Sequence, residues 1–222
     1  VAARAGRLWV VYSGGDVAEI VDGGVVMHGT RNGLPDGYRL AMFEHVDGSI
    51  WVAGQAGVSR YRGGRWERIG AADGLPDVPA TRAYQDQADT VWIGTPIGTF
   101  RRSAGASRFE KISTETISSA VVAPDGTTWI TEDEHGVSAL GAPTVWTKRS
   151  PRIGRRLLRD RHGVLWLGTS GDGIWRVRTK AHQAIAEAAL VEGGDAARRE
   201  DVWDILEDRD GSMWFATARG LL

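Results

Sequence analysis

Residues 163–177 read GVLWLGTSGDGIWRV, and five further stretches of the chain are near-copies of this phrase. The copies are GRLWVVYSGG at 6–15, GSIWVAGQAGVSRY at 48–61, DTVWIGTPIGTFR at 89–101, GTTWITEDEHGVSAL at 126–140 and GSMWFATARGLL at 211–222. Their shared tryptophans are Trp9, Trp51, Trp92, Trp129, Trp166 and Trp214, spaced by 42, 41, 37, 37 and 48 residues. Short β-prone segments and glycine turns that repeat about every 40 residues are typical of a β-propeller, in which each repeat is one four-stranded blade.

The second copy predicts the four strands of one blade. Tyr38–His45 is the first strand, Ile50–Ala53 the second, Val58–Arg62 the third and Arg65–Ile69 the fourth. The last two are separated by Gly63-Gly64, and a Gly-Gly pair between β-forming residues indicates a tight hairpin turn. The chain is therefore predicted to be all-β and to form antiparallel blades.

Applied to the whole chain, this register predicts a single partial β-propeller over 1–222, with four complete blades and two partial ones. The first copy is expected to lack its opening strand and the last copy its fourth. The segment Ala181–Leu190 has a helix-forming composition, but the register makes it a fourth strand, because tertiary context often overrides propensity. The predicted blades are approximately 1–30 (partial), 37–70, 78–113, 116–149, 153–192 and 200–222 (partial).

The position two residues after the repeat tryptophan is small, or at most threonine, in five copies. This indicates strands that converge where neighbouring blades leave little room. The five residues are Ala53, Gly94, Thr131, Gly168 and Ala216.

Composition excludes several classes of protein. A net charge of −1 over 222 residues argues against a general nucleic-acid binder, and the absence of cysteine excludes disulfides and thiolate metal sites. No apolar run approaches the roughly 18 residues of a membrane span, and no signal peptide is visible. The chain starts without methionine and both ends lie inside repeats, so we expect it to be a piece of a longer protein.

Two linkers, NGLPDG at 32–37 and DGLPDV at 73–78, precede first strands, and residues 202–217 read VWDILEDRDGSMWFAT. These motifs resemble the two-component regulator propeller repeat, with departures such as Thr131-Glu132 in place of Gly-Thr. The resemblance implies a sensor region of bacterial hybrid histidine kinases, diguanylate cyclases or related regulators. It also implies a periplasmic or other extracytoplasmic location, a ring of seven blades, and an output activity in a domain other than this one.

A binding site is predicted at the mouth of the propeller channel. Ten residues before the tryptophan the copies vary and are mostly polar, with Ala41, Arg82, Ser119, Arg156 and Asp204 at this position, as expected for a concave site. The turns on the same face add further polar groups, and Trp203 could stack on a ligand. The predicted ligand-binding residues are Arg82, Arg156, Asp204, Glu132, His135, Asp172 and Trp203.

An oligosaccharide or a small anionic ligand is the expected partner. Aromatic faces stack on sugar rings, and the basic stretch Lys148–Arg161 supplies guanidinium groups that bind carboxylates in a bidentate manner. No cofactor, metal or catalytic residue is predicted, because the five histidines form no ligand pair and Asp208-x-Asp210 is better explained as a turn.

Two alternatives remain open. One is a docking or dimerisation scaffold, in which open blade edges associate without a small ligand. The other is a propeller lyase or glycan-cleaving enzyme, with Glu132 and either Asp172 or Asp204 as an acid–base pair.

Overall fold

The computed structural model describes residues 2–4, 6–12, 14–132, 136–141, 154–180, 183–188 and 200–222. In them the chain forms antiparallel β-sheets and two single turns of 3-10 helix, Thr30–Asn32 and Ala71–Asp73. The predicted all-β fold is confirmed. The chain divides into two compact units, Val1–Thr116 and Ile117–Leu222.

The first unit contains three four-stranded sheets, each made of consecutive strands. The first sheet is β1 (Ala2–Arg4), β2 (Arg7–Val11), β3 (Val17–Val21) and β4 (Gly24–His28). The second is β5 (Arg39–Glu44), β6 (Ile50–Gly54), β7 (Gly57–Arg62) and β8 (Arg65–Ile69). The third is β9 (Arg82–Gln85), β10 (Val91–Thr95), β11 (Gly98–Arg102) and β12 (Glu110–Ser113).

The second unit contains one four-stranded sheet and two sheets in which three strands are described. The fourth sheet is β13 (Ile117–Val122), β14 (Thr128–Glu132) and β15 (Gly136–Ala139). The fifth is β16 (Gly154–Arg159), β17 (Leu165–Thr169), β18 (Ile174–Lys180) and β19 (Gln183–Ala188). The sixth is β20 (Val202–Glu207), β21 (Met213–Thr217) and β22 (Gly220–Leu221).

The first copy differs from its prediction. Ala2–Arg4 is an opening strand that pairs antiparallel with β2, with Ala2 opposite Trp9, so the expectation that this strand is missing is wrong. Three residues are too short to show an alternating pattern in the sequence, and only the ladder to β2 defines them. In the fourth copy, residues 142–149 lie outside the described residues.

The ambiguous segment of the fifth copy is a strand, as its place in the repeat predicts. Gln183–Ala188 forms β19 and pairs antiparallel with β18, for example Arg178 opposite Ile185. Pairing with an existing strand edge therefore outweighs the helix-forming composition of these residues. That all six sheets belong to a single propeller, with the predicted blade limits and seven blades in the ring, stays a prediction.

The repeat tryptophans form the core of most sheets. Trp51 and Trp92 are fully buried, and Trp9, Trp129 and Trp166 are at most 8% exposed. Trp214 is the exception at 40% exposed, so its face of the sixth sheet is open to solvent.

An aspartate six residues before the tryptophan closes the turn between first and second strands in three copies, at Asp86, Asp160 and Asp208. Asp160 Oδ1 accepts hydrogen bonds from the amides of His162 (3.0 Å) and Val164 (2.8 Å), and Oδ2 accepts one from Trp166 Nε1 (2.8 Å). The same pattern at Asp208 confirms that Asp208-x-Asp210 is a turn.

Candidate functional site

Two of the predicted ligand-binding residues contact each other in the second unit. Arg156 Nε lies 2.9 Å from Asp204 Oδ1, and the two side chains are 33% and 66% exposed. This is an ion pair by distance only, since Nε makes no aligned hydrogen bond. The guanidinium is therefore held beside a carboxylate while part of it stays accessible.

Both of these side chains follow a β-bulge in an opening strand. In β16 the register shifts between Gly154 and Arg156, and in β20 it shifts between Val202 and Asp204. Arg155 and Trp203 are the extra residues, and a bulge of this kind turns a side chain away from the regular alternation. Trp203 is 56% exposed, as a stacking surface would need to be.

The bulge also adds a residue that the sequence analysis missed. Arg155 Nη2 donates a hydrogen bond to Ser170 Oγ (3.0 Å), and that hydroxyl donates to Asp201 Oδ1 (2.7 Å). Arg155 and Asp201 are 3.8 Å apart at their closest charged atoms. The signal that could have found Arg155 is its place eleven residues before the tryptophan, where Trp203 also stands.

Other predicted residues are less closely connected. Asp172 lies in the turn between β17 and β18, where its amide donates to Thr169 Oγ1 (3.1 Å) and its carbonyl accepts from Trp175 Nε1 (2.8 Å). Glu132 ends β14, but its side chain and all of His135 lie outside the described residues. Arg82 begins β9 in the first unit, so its place in a common mouth stays a prediction.

Ser119 contradicts the idea that the position ten residues before the tryptophan always faces a mouth. Its side chain is fully buried, and its hydroxyl accepts a hydrogen bond from the amide of Leu157 (3.0 Å). The residue therefore joins the opening strands of two neighbouring sheets. Polarity at this position has a structural cause in the fourth copy.

Three of the four described arginines of the basic stretch lie beside carboxylates. Besides the two bulge-site arginines, Arg161 Nε binds Glu207 Oε1 at 2.5 Å, and its backbone amide donates to Glu207 Oε2 at 2.9 Å. An incoming anion would have to compete with these acidic side chains. The guanidinium groups that the sequence offers to a ligand carboxylate are thus partly occupied by carboxylates of the chain itself.

An apolar groove of about 420 Å³ lies on the sixth sheet beside Asp204. It lies on the open face that leaves Trp214 exposed, and Leu206 and Leu221 are 60% and 64% exposed there. The groove is lined by Asp204, Ile205, Leu206, Trp214, Ala216 and Leu221.

Among the described residues, no three His, Asp or Glu side chains come together as a metal site. In the same part of the chain, neither helical turn approaches the length and apolarity that a membrane crossing requires.

Comparison with known proteins supports the sequence motif and the fold. Residues 198–219 match the family model described as two component regulator propeller, so the resemblance inferred from the sequence is confirmed there. No curated protein sequence matches the chain.

Solved structures with the same fold cover almost the whole chain. The extracellular domain of a protein described as a hybrid two component system, BT4673 of B. thetaiotaomicron, matches 99% of this chain with a TM-score of 0.59 and 16% identity. PorZ of the Porphyromonas gingivalis type-IX secretion system matches 97% with a TM-score of 0.71 and 14% identity. A virginiamycin B lyase from Staphylococcus aureus matches 97% with a TM-score of 0.65 and 13% identity.

The matched lengths differ greatly. This chain covers 38% of the BT4673 chain, 36% of PorZ and 75% of the lyase. At these identities the similarity establishes a β-propeller fold and does not transfer an activity.

Proposed function

We propose that this chain is part of the extracytoplasmic sensor region of a bacterial signalling protein and binds a ligand without catalysing a reaction. The repeat match at 198–219 supports this proposal, as does the extracellular placement of the BT4673 domain. Any kinase or cyclase activity would then belong to another domain. Binding would act by shifting an equilibrium between orientations or association states of the sensor.

The observation that carries the proposal is the bulge cluster of Arg155, Arg156, Trp203 and Asp204. It combines an accessible guanidinium, an exposed indole and a carboxylate within one unit. A guanidinium fork binds a ligand carboxylate, and an indole face packs on the apolar face of a sugar ring. An acidic oligosaccharide offers both groups, and its carboxylate would replace Asp204 as the partner of Arg156.

Isothermal titration of the chain with uronic-acid oligosaccharides and with their neutral counterparts tests this assignment. We expect the acidic sugars to bind and Arg156→Gln to weaken them about 10- to 100-fold, the effect of losing a hydrogen bond to a charged group. Trp203→Ala should also weaken them, while Arg68→Gln, at an exposed ion pair in the first unit, should not. Absence of binding, or equal affinity in Arg156→Gln, would refute the assignment.

The open face of the sixth sheet favours a second candidate function, association with another copy of this chain. The other repeat tryptophans are at most 8% exposed, whereas Trp214, Leu206 and Leu221 leave an apolar surface that a second copy could cover. Light scattering should then show a dimer that Leu206→Glu converts to a monomer. A monomeric wild-type chain would exclude this function.

A further inference from the structure

The first copy departs from a cross-strand pattern that three other copies share. In those copies an arginine stands opposite the repeat tryptophan, and a glutamate stands opposite that arginine on the fourth strand. The three sets are Trp51–Arg60–Glu67, Trp92–Arg101–Glu110 and Trp166–Arg176–Glu187. In the first copy Glu19 stands opposite Trp9, and Val26 stands opposite Glu19 on the fourth strand. The charge at the central position is reversed.

The arginine has a structural function where it is present. Arg60 lies over the Trp51 ring at 5.5 Å from its centroid and pairs with Glu67 at 2.6 Å. Arg176 lies over Trp166 at 4.8 Å. A carboxylate cannot make this cation–π contact, so Glu19 does not take over the packing role of the arginine.

Glu19 is buried, and its partners are also particular to the first copy. The residue is 7% exposed, and Arg7 Nη1 donates to its Oε1 at 3.1 Å. Arg7 occupies the position two residues before the tryptophan, where the other copies have Ser49, Thr90, Thr127, Val164 and Ser212. His28 Nε2 lies 3.3 Å from the second oxygen of Glu19.

The histidine holds the carboxylate in one orientation. Trp66 Nε1 is a donor and lies 3.3 Å from His28 Nδ1, so Nδ1 must accept and the imidazole proton must sit on Nε2, facing Glu19. His28 is itself only 4% exposed. Trp9 and Tyr61 pack around its ring at centroid distances of 5.2 and 4.9 Å.

These residues open onto a cavity of about 510 Å³ between the first and second sheets, a size typical of small-molecule sites. Turns of the second sheet form the opposite wall. The cavity is lined by Arg7, Trp9, Glu19, Glu44, Asp47, Gly48, Ser49, Tyr61, Arg62, Gly63 and Gly64.

The lining mixes donors and acceptors. Glu19, Glu44 and Asp47 can only accept hydrogen bonds when ionised, whereas Arg7 and Arg62 can only donate. Asp47 is firmly ionised: although burial opposes it, hydrogen bonds from the hydroxyl and amide of Ser49, with His45 nearby, lower its pKa to about 2. A charged ligand would meet a like charge on one wall or the other. Hydroxyl groups, which both donate and accept, match the whole lining.

We propose that this cavity is a second binding site, specific for a neutral polyhydroxylated ligand of the size of a mono- or disaccharide. Glu19 and Arg7 bind its hydroxyl groups, and Tyr61 contacts its apolar face. The site lies in the first unit and is separate from the bulge cluster on which the proposed function rests. Breaking the structural pattern of the repeat at a cavity is expected of a functional position.

Saturation-transfer NMR and isothermal titration of the chain with glucose, galactose, mannose, xylose, maltose, cellobiose and lactose test the site. Glucuronate and glucosamine serve as the charged probes. At least one neutral sugar should bind, and Glu19→Gln and Arg7→Ser should each weaken it about 10- to 100-fold. Arg7→Ser should leave the chain folded, because this side chain is 58% exposed, serine occupies the position in two other copies, and His28 still binds Glu19; circular dichroism checks this.

Two further variants isolate the cavity from other effects. Glu110→Gln removes an acid paired with Arg101 outside the cavity and should leave affinity unchanged. Arg156→Gln should also leave it unchanged, so the cavity and the bulge cluster can fail independently. The proposal is overturned if no neutral sugar binds, if Glu19→Gln and Arg7→Ser bind like wild type, or if a charged probe binds in preference.

Discussion

Where two neighbouring sheets face each other, one strand has a glycine and the facing strand has a larger residue. We predict that the glycine and the larger residue can be exchanged between the two strands. In one pair, Gly168 of β17 faces Val202 of β20, and a Cβ on Gly168 would lie only 2.6 Å from Val202 Cγ1. One copy earlier the sizes are reversed, since Thr131 of β14 faces Gly154 of β16. A Cβ on Gly154 would overlap the Thr131 hydroxyl and lie 2.9 Å from its Cβ. Each pair therefore has room for one side chain.

Gly154→Val alone should destabilise the chain by about 3 kcal/mol, the upper end of overpacking costs, because Thr131 is fully buried and cannot move aside. Thr131→Gly alone should cost about 1 kcal/mol. It leaves glycine in a strand, but it also removes a buried hydroxyl that has no hydrogen-bond partner. The double variant Thr131→Gly/Gly154→Val rebuilds the Gly168–Val202 pair and should return to within about 1 kcal/mol of wild type.

Urea denaturation followed by tryptophan fluorescence measures the free energies of unfolding for this cycle. The expected coupling is about 3 kcal/mol in favour of the double variant. Thr128→Gly, on the same strand as Thr131 but away from Gly154, should not rescue Gly154→Val. A coupling below about 0.5 kcal/mol, or equal rescue by Thr128→Gly, would refute the packing argument.

Two further predictions concern single residues. Asp160→Ala should destabilise the chain by about 2–4 kcal/mol in urea denaturation, because it leaves the buried Trp166 indole and two amides unpaired. Asp208→Ala, next to the exposed Trp214, should cost about 1 kcal/mol. An equal loss of stability in the two variants would contradict the argument. Ser49→Ala should raise the pKa of Asp47 from about 2 towards its ordinary value of about 3.9, and carboxyl NMR measures this pKa. The control Ser59→Ala should leave the pKa of Asp47 unchanged. Because folding lowers the pKa of Asp47, the stability that its ionised form contributes is full above about pH 3.9 and is lost as the pH falls through about 2. An unchanged pKa of Asp47 in Ser49→Ala would show that Ser49 does not cause the lowering.

Most of the fold is predictable because the same pattern of strand and turn residues recurs in every copy of the repeat. The Trp strand, the Gly63-Gly64 hairpin and the register of β19 all follow from aligning the copies. The opening strand Ala2–Arg4 does not, because three residues carry too little pattern and are defined by their partner β2. Short edge elements depend on pairing, which a local pattern does not contain.

The bulge cluster is only half predictable. Counting back from the tryptophan finds Arg156 and Asp204, because both copies keep the same spacing. Counting ten residues back misses Arg155, which stands one position earlier as the extra residue of the bulge in β16. The same counting places Ser119 at the mouth of the channel, although its hydroxyl is buried and accepts a hydrogen bond from the amide of Leu157.

The cavity of the first unit shows where a repeat protein reveals its function. Positions that serve the fold recur, so an arginine opposite the tryptophan is uninformative at Arg60, Arg101 or Arg176. Glu19 is informative because it reverses that charge, and burial of a carboxylate is costly unless other groups bind it. Arg7 and His28 are those groups, and both are also confined to the first copy. Glu19, Arg7 and His28 therefore form one connected group beside a cavity, and this coincidence is the reason for assigning a ligand to it.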